Sequence, residues 1–512
     1  GMLFNAANSI PLTGSHRVQE LARAPPASRP QVPSVPSVQV STPALRWCVD
    51  VLKSRPRFAF TEPRFRPVMF SLRMDTEDIP QDPQLLFTDL FAEECDVHIA
   101  YKKQNGVYMY VSARCSTAQH ETITADGARG IADWLLNSAR AEFWQSLRLE
   151  VQLGKEIAIT DKGAVVEIIN GDALGCACSK PLRPSIDSVR PLCLLDSLQS
   201  IINVEGEVLG DSMVTFDCLG PSGFHPVQTM AQGNRLASSD ERHVLADHAV
   251  GRGPDSVEFG MLRLCSPLGE GINERVEAEN PITNSLTRFI IAYRGQFASH
   301  PKPLFVTDCA ICAEEVLQLE DDPKISADEL DTILIELAAV LKYERAPHVP
   351  WAVVPSVYAL LSVACDKGWS MVTSRLLVVA SKLENAQWNT VGVTFGAGNV
   401  SRGCALLQRA ILSESRPLLN TLLPWVNSNP EHPLFAELNP LAEGPYGVTS
   451  VHLSALLQDD GKMAACLTGS LPLTCNMWAN ARDHYQMSPS DYAKLLATSR
   501  SRRLHALHRL HV

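Results

Sequence analysis

From Ser326 onward the chain is written in pairs of short amphipathic helices, and this pattern constrains the fold more than any other feature. Ser326-Ala-Asp-Glu329 is a capping-box sequence that opens a helix carrying Leu330, Ile333, Leu334 and Leu337 on one face. Ser356–Cys365 and Ser370–Leu383 follow as a helix pair, with Asp366-Lys-Gly368 as the turn between them. On the second helix Val372, Leu376, Val379, Ala380 and Leu383 form a single stripe, at spacings of four, three, one and three. A further pair occupies Cys404–Leu412 and Pro417–Val426, where Pro417 suits the first helical position. No such pair buries its apolar face alone. Stacking supplies the shared core, so the pattern predicts a solenoid, interrupted by a Gly-rich insertion at Gly392–Gly403.

The stack runs into Gly444–Ala497, where Gly447-Val-Thr-Ser-Val-His-Leu-Ser-Ala455 resembles the ankyrin signature Thr-Pro-Leu-His-x-Ala. In such a unit Thr449 accepts from an otherwise orphaned backbone N–H at the helix start. The following residue is usually a proline preorganised for the first turn; Ser450 stands here instead. His452 is expected to bridge neighbouring repeats by hydrogen bonds, a structural role weighed above metal binding or catalysis. Leu453 and Ala455 are expected to pack inward. Asp483–Ala493 supplies a second, partial copy, in which Ser488-Pro489 repeats cap and first turn and Asp491-Tyr492-Ala493 begins the helix. Gln486 occupies a position where ankyrin units favour glycine. The separation of Thr449 from Ser488 also exceeds the usual period of about 33 residues, with the excess assigned to Leu471–Met477. The candidate interaction residues are therefore Gly447, Thr449, His452, Leu453, Ala455, Asp483, Ser488, Pro489 and Tyr492.

Upstream the style differs. Residues 1–45 are rich in Pro and Ser, and Glu20 is the one acidic residue between Met2 and Val49. That composition fits either a disordered segment or an organelle-targeting peptide. Gly1 ahead of Met2 reads as an added residue or a fragment boundary. Residues 46–180 are expected to form a small α+β domain. Within it Val97–Val111 reads as a hairpin turning at Asn105-Gly106, a helix covers about Gly127–Leu147, and alternating strands follow from Leu147 to Ile169. Residues 187–320 carry short strand-like runs at 201–209, 213–218, 257–264, 289–293 and 304–307, punctuated by Gly and Pro, which predicts a β-rich, sandwich-like domain. Gln232–Asp255 reads as a long loop. The ankyrin-like helical repeats take residues 325–498, and residues 499–512 form a basic, His-rich tail. The fold class is thus multidomain α+β, with a small α+β unit, a sandwich-like middle and C-terminal ankyrin-like helices.

Composition enters mainly through what it argues against. A net charge of −11 speaks against tight nucleic-acid binding by the whole chain, since phosphate contact needs clustered Lys and Arg. Fourteen scattered cysteines, mostly beside apolar residues, read as reduced intracellular thiols rather than a disulfide framework. No run of 18 apolar residues occurs, so a soluble protein is expected. Neither Gly-x-Ser-x-Gly nor His-Glu-x-x-His is present, and Gly396-Ala-Gly398 with Gly403 lacks the Gly-Lys-Ser/Thr ending of a phosphate loop. No catalytic, cofactor or metal residues are assigned. Cys309-Ala-Ile-Cys312 is the one Cys-x-x-Cys, and buried or incidental thiols are the default reading over a paired redox or metal role. Two thiolates half-coordinate Zn²⁺ or Cu(I); Cys176 and Cys178 lie far off in sequence. His505, His508 and His511 beside Arg500, Arg502, Arg503 and Arg509 read first as a disordered basic tail, and as a metal-binding or acidic-surface-binding helix face second.

Several segments together resemble the large squamosa-promoter-binding-protein-like (SBP-box) transcription factors of plants and algae, copper response regulator type included. Gly444-Pro445-Tyr446-Gly447-Val448-Thr449-Ser450-Val451-His452-Leu453-Ser454-Ala455 looks like that family's Gly-Pro-x-Gly-x-Thr-Pro-Leu-His-x-Ala run. Trp478, Asp483 and Ser488-Pro489-Ser490-Asp491-Tyr492-Ala493 look like its closing segment. Leu406-Leu407-Gln408-Arg409-Ala410-Ile411 resembles its Leu-Leu-His-Arg-Ala-Val helix, with Gln for His, and Phe70–Pro80 resembles its Lys-Leu-Phe…Phe-Pro segment. The resemblance runs in patches from about residue 64 to 497. It implies a regulatory protein, working in the nucleus through protein contacts. The family's two-zinc DNA-binding module has no counterpart here, so the chain reads as a fragment lacking it or a relative that lost it, and DNA binding attaches to no residue. The alternative is an organelle-targeted ankyrin-like scaffold or assembly factor, in chloroplast or mitochondrion; an enzyme ranks third.

Overall fold

Alternation of apolar and polar residues gives the first sheet two working faces. In the computed structural model, residues 42–54, 65–76, 83–170, 184–230, 258–264, 287–388 and 405–495 are described, with breaks of one to four residues inside the longer spans. After helix α1 (Pro43–Ser54), strands β1 (Phe65–Met74), β2 (Asp96–Lys103) and β3 (Val107–Ser116) lead to helices α2 (Thr117–Thr124), α3 (Gly127–Leu136) and α4 (Ala141–Gln145). Strands β4 (Leu149–Leu153), β5 (Glu156–Asp161) and β6 (Ala164–Asn170) complete a six-stranded antiparallel sheet in the order β2-β3-β1-β4-β5-β6. Residues of one parity (Val68, Phe70, Leu72 and Met74 on β1; Met109 and Val111 on β3) join Ile131, Leu135 and Trp144 of the helices in one core. The hairpin of β2 and β3 turns where the sequence places it: Gly106 has φ +105°, and a Cβ there would sit 2.4 Å from the Met74 carbonyl oxygen. The single helix expected over Gly127–Leu147 is broken at Asn137–Arg140 into α3 and α4.

The other face of this sheet packs on a second one. Strands β7 (Ser188–Arg190), β8 (Cys193–Leu195), β9 (Ser200–Gly206), β10 (Val214–Gly220), β11 (Gly223–Met230), β12 (Glu258–Leu264), β13 (Thr287–Arg294), β14 (Phe297–Ala298) and β15 (Lys302–Thr307) form one nine-stranded sheet. Its order is β7-β9-β12-β11-β10-β13-β15-β8, with β14 paired to β13. The first and last strands of that order are joined by Pro191 and Leu192 alone. Three Cα steps span at most about 11 Å, so the sheet must curl until its two ends meet. Ile186, Val189, Leu194, Ile202, Val204, Phe216, Ile290 and Leu304 fill the curl. Between the two sheets, Ala100 and Tyr110 meet Leu219, Phe289, Ile291 and Tyr293, and Gln152 donates to the Ala298 carbonyl at 3.0 Å. The loop expected over Gln232–Asp255 lies outside the described residues.

The C-terminal half is helical. Its elements are α5 (Ala310–Leu317), α6 (Ala327–Leu341), α7 (Val354–Lys367), α8 (Ser370–Ala380), α9 (Leu406–Leu412), α10 (Arg416–Ser428), α11 (Phe435–Leu438), α12 (Ser450–Ser454), α13 (Lys462–Ser470) and α14 (Pro472–Asn480); residues 489–495 are helical too. Two columns emerge: α7, α9 and α12 pack in succession along one, and α8, α10 and α13 along the other. One core runs from Cys193 and Phe305 of the curled sheet through Leu337, Leu360, Leu376, Leu407 and Leu422 to Tyr492. Helix α1 joins this core through Ala44, Leu45 and Cys48, so the segment that sequence reasoning divides between leader and first domain docks on the helical half. Among the described residues, no helix is long and apolar enough to cross a membrane.

Glu315 of α5 makes the tie on which the start of this stack depends. Trp369, at the N-cap of α8, provides no side-chain cap. The buried Glu315 carboxylate accepts instead from the N–H groups of Ser370 (2.6 Å), Met371 (3.0 Å) and Val372 (2.8 Å), and from the Ser370 hydroxyl (3.1 Å). Those are the orphan donors of the first turn, where helix polarity also favours a negative charge. Glu315→Ala leaves them without an acceptor and is expected to cost at least about 2 kcal/mol. Glu315→Gln, which keeps one carbonyl oxygen, is expected to cost less. Urea unfolding of the two variants beside the parent chain checks the order.

Candidate functional site

The residues singled out from the sequence converge on a polar joint between α12 and the 489–495 helix. Thr449 precedes α12 in extended conformation (φ −93°, ψ 169°). Its N–H donates to His452 Nδ1 at 3.2 Å, and its hydroxyl bonds the same nitrogen at 2.9 Å. The Thr449 hydroxyl is thus engaged by a side chain, where the ankyrin pattern predicts a backbone N–H as its partner. A histidine makes the reciprocal bond that Glu or Gln makes in a capping box. On its far side His452 Nε2 lies 3.0 Å from the Met487 carbonyl oxygen. With Nδ1 accepting from a backbone N–H, Nε2 carries the proton and donates: the ring is neutral and both nitrogens are spent. Burial pushes its pKa below the free imidazole value.

Asp483 holds the second copy in shape. Its Oδ1 accepts from the N–H groups of Tyr485 and Met487, each at 2.8 Å, and its Oδ2 accepts from the Tyr492 hydroxyl at 2.7 Å. The Tyr492 ring meets the His452 ring edge-on, centroids 5.2 Å apart, so both signature aromatics share one buried contact. Ser488 and Asp491 cap the last helix reciprocally: Asp491 N–H donates to Ser488 Oγ (3.2 Å), and Ser488 N–H donates to Asp491 Oδ2 (3.0 Å). The Ser488 hydroxyl and N–H draw the Asp491 carboxyl down to about 2. Leu453, Ala455 and Pro489 are buried. Gly447 has φ +73°, and a Cβ on it would meet the His484 ring at 2.6 Å. Gln486, the residue in the glycine position, has φ +65°, a backbone state that costs a side chain about 1–2 kcal/mol.

Three further joints of the same kind lie along the stack, made by Gln408, His432 and Ser415, and of these three side chains the sequence singled out Gln408 alone. Gln408 Oε1 accepts from Ala405 N–H (3.2 Å) while its Nε2 donates to the Val448 carbonyl (3.3 Å), tying α9 to the turn before α12. His432 Nδ1 accepts from Leu434 N–H (3.1 Å) and its Nε2 donates to the Ala380 carbonyl at the end of α8 (3.1 Å). Trp388 and Trp425 enclose its ring edge-on, and burial lowers its pKa. The Ser415 hydroxyl accepts from Leu418 N–H (3.4 Å) and donates to the Gly368 carbonyl (2.8 Å). Gln408 carries a local signal, three residues past a helix start. His432 carries none, because its partner lies 52 positions away. Arg409 adds an ion pair to Asp366 (2.9 Å) between α9 and α7.

These groups are saturated by one another, so the arrangement can position backbone but has no free lone pair for a metal or a transferred proton at His452. Among the described residues, no group of three or more His, Cys, Asp or Glu is placed to hold a metal ion. Cys176, Cys178, His505, His508 and His511 lie outside the described residues. Neither a scan against protein-family models nor a search of curated proteins finds a match to this chain.

Both depressed imidazoles give stability a pH dependence whose sign follows from linkage. Folded His432 and His452 resist protonation, while in the unfolded chain they protonate near the free value of about 6.5. Their contribution is therefore whole above that pH and is lost as pH falls from it toward the lower folded values. Chemical denaturation between roughly pH 7.5 and 5 is expected to show falling stability, with a shallower slope in His432→Gln and His452→Gln.

Proposed function

We propose that this chain is a regulatory protein–protein interaction protein, with an ankyrin-like repeat stack as its binding element. In this reading it resembles the C-terminal region of an SBP-box transcription factor without the zinc DNA-binding module, and it makes no direct DNA contact. The middle domain is then a curled, sandwich-like support, and the protein acts in the nucleus as a scaffold, not an enzyme. The observation that carries the reading is the His452 joint, in which one ring nitrogen closes the start of α12 and the other reaches the Met487 carbonyl of the next unit. Polar side chains consumed in that way serve shape, and a fixed shape serves recognition. Support also comes from the turns beside the joint: His484 N–H donates to the Tyr446 carbonyl at 2.9 Å, and Tyr446 and Tyr485 are 42% and 43% exposed. Adjacent exposed tyrosines are the kind of anchor that interfaces use.

The test is proximity labelling in the native cell with the parent chain and a Tyr446→Ala/Tyr485→Ala double variant. A reproducible set of labelled partners that the double variant loses, while its thermal unfolding stays unchanged, is the expected outcome. An identical set from both chains removes the assignment of these turns. A fluorescent fusion is expected in the nucleus; a plastid or mitochondrial signal would replace the nuclear reading with that of an organelle-targeted scaffold.

A further inference from the structure

Cys309 and Cys312 lie at the junction of the curled sheet and the helical half, where β15 ends and α5 begins. Cys309 is the N-cap residue of α5, in extended conformation, and its sulfur accepts from the Cys312 N–H at 3.5 Å. In that geometry the N-cap and N3 side chains face each other across the first turn, as in a capping box. Here the facing groups are two thiols. They differ in access: Cys309 is half-buried, Cys312 is fully buried, and Ile311 between them is 50% exposed, so this turn of α5 opens to solvent on the Cys309 side.

A fixed cation stands over the buried thiol. Arg375 of α8 places Nη1 4.0 Å from Cys312 Sγ, 3.1 Å from Thr307 Oγ1 and 3.2 Å from Asp308 Oδ1, and its Nε donates to Glu344 Oε2 at 2.6 Å. Burial pushes the Cys312 thiol up to about 12, and the Arg375 contact acts the other way. Cys193 on β8 lies behind it and is also buried, so neither of these two is open to solvent as Cys309 is. One accessible sulfur at a helix N-terminus, with a protected second sulfur beside it under a guanidinium, is a division into attacking and resolving thiol.

We infer that Cys309 and Cys312 form a redox-active dithiol that exchanges with low-molecular-weight disulfides of the glutathione type. The Cys309 thiolate attacks one sulfur of the disulfide RS–SR, forming a Cys309–SR mixed disulfide and releasing RS⁻. Cys312, giving up its proton beside the Arg375 guanidinium, then attacks the Cys309 sulfur, forms the Cys309–Cys312 disulfide and releases the second RS⁻. The protons of the two cysteines pass to the two released thiolates, so one dithiol is oxidised and one disulfide is reduced to two thiols. Oxidation draws Cys312 Sγ into the bond with Cys309 and so alters its contact with Arg375, which also ties α8 to the ends of β15 and α6, so the sheet–stack junction senses the change.

The experiment equilibrates the full chain with glutathione buffers of varied reduced-to-oxidised ratio, quenches with acid, alkylates free thiols and maps disulfides by mass spectrometry. The expected product is a Cys309–Cys312 bond that dithiothreitol reverses. Cys312→Ser is expected to trap one glutathione on Cys309, and Cys309→Ser to leave Cys312 unmodified. Serine is itself a favoured N-cap residue, so Cys309→Ser preserves the helix start, and circular dichroism verifies that each variant is folded. Cys466, also half-buried, is the internal reference. Arg375→Gln is expected to prolong the mixed disulfide several-fold. The inference fails if Cys309 reacts no faster than Cys466, or if the parent chain accumulates glutathione on Cys309 without passing to the internal bond.

Discussion

Unpaired backbone groups at helix ends set the terms for this protein. The helices of the C-terminal half run from four to fifteen residues, so end groups make up a large share of each one. Helices of that length do not persist in water alone, and their free N–H and C=O groups cannot be buried without partners. The chain meets this by lending side chains from one unit to the ends of another. Glu315 of α5 covers three N–H groups of α8, His432 covers the carbonyl end of α8, Gln408 reaches the turn before α12, and His452 reaches Met487. Each of these bonds closes a local end and fixes the spacing of neighbouring units in one step.

The same requirement explains why the stack is joined to the sheets. The first helices of a stack need a covering, because they expose an apolar face. Here α5 and α6 lie against β8, β13 and β15, and Cys193 and Phe305 belong to the helical core. Ion pairs line the seam: Lys302 with Asp331 at 2.8 Å, and Arg375 with Glu344 and Asp308. The Leu192 N–H, from the link that closes the curled sheet, donates to Glu320 just beyond α5. The closure of the sheet and the start of the stack are thus one construction, and α1 covers a later part of the stack from outside.

A joint that consumes its polar groups has a functional meaning. His452 combines burial, two hydrogen bonds and an aromatic neighbour, which at a catalytic centre would describe a tuned base. Here both nitrogens face groups of the chain itself, so the ring acts as a spacer with directional ends. Beside this joint the exposed side chains lie at the turns, in Tyr446 and Tyr485, and at the first turn of α5 Cys309 is half-buried.

Much of this was legible in the sequence wherever the decisive partner is a near neighbour. Stripe spacing gives α6, α7, α8, α9 and α10; Ser326 accepts from Glu329 N–H at 3.2 Å, as its capping pattern implies; and Asn105-Gly106 marks the turn between β2 and β3. The signature residues of α12 and the 489–495 helix meet because local caps set their directions. What the sequence did not disclose are contacts fixed by chain closure. Strand β11 carries Pro226, which argues against a strand, yet β10 and β12 flank it. The curl of the second sheet follows from β7 and β8 being neighbours in the chain and opposite ends of the sheet, which periodicity cannot express. Glu315 reads as one acidic residue among several, and His432 as a loop histidine, until α8 brings its two ends to them. The sequence by itself determined most helices of the C-terminal half and which of their faces are apolar, because those depend on residues three or four apart. Only the tertiary structure decided which orphan end meets which side chain, because that pairing is settled by packing between elements some 50 residues apart.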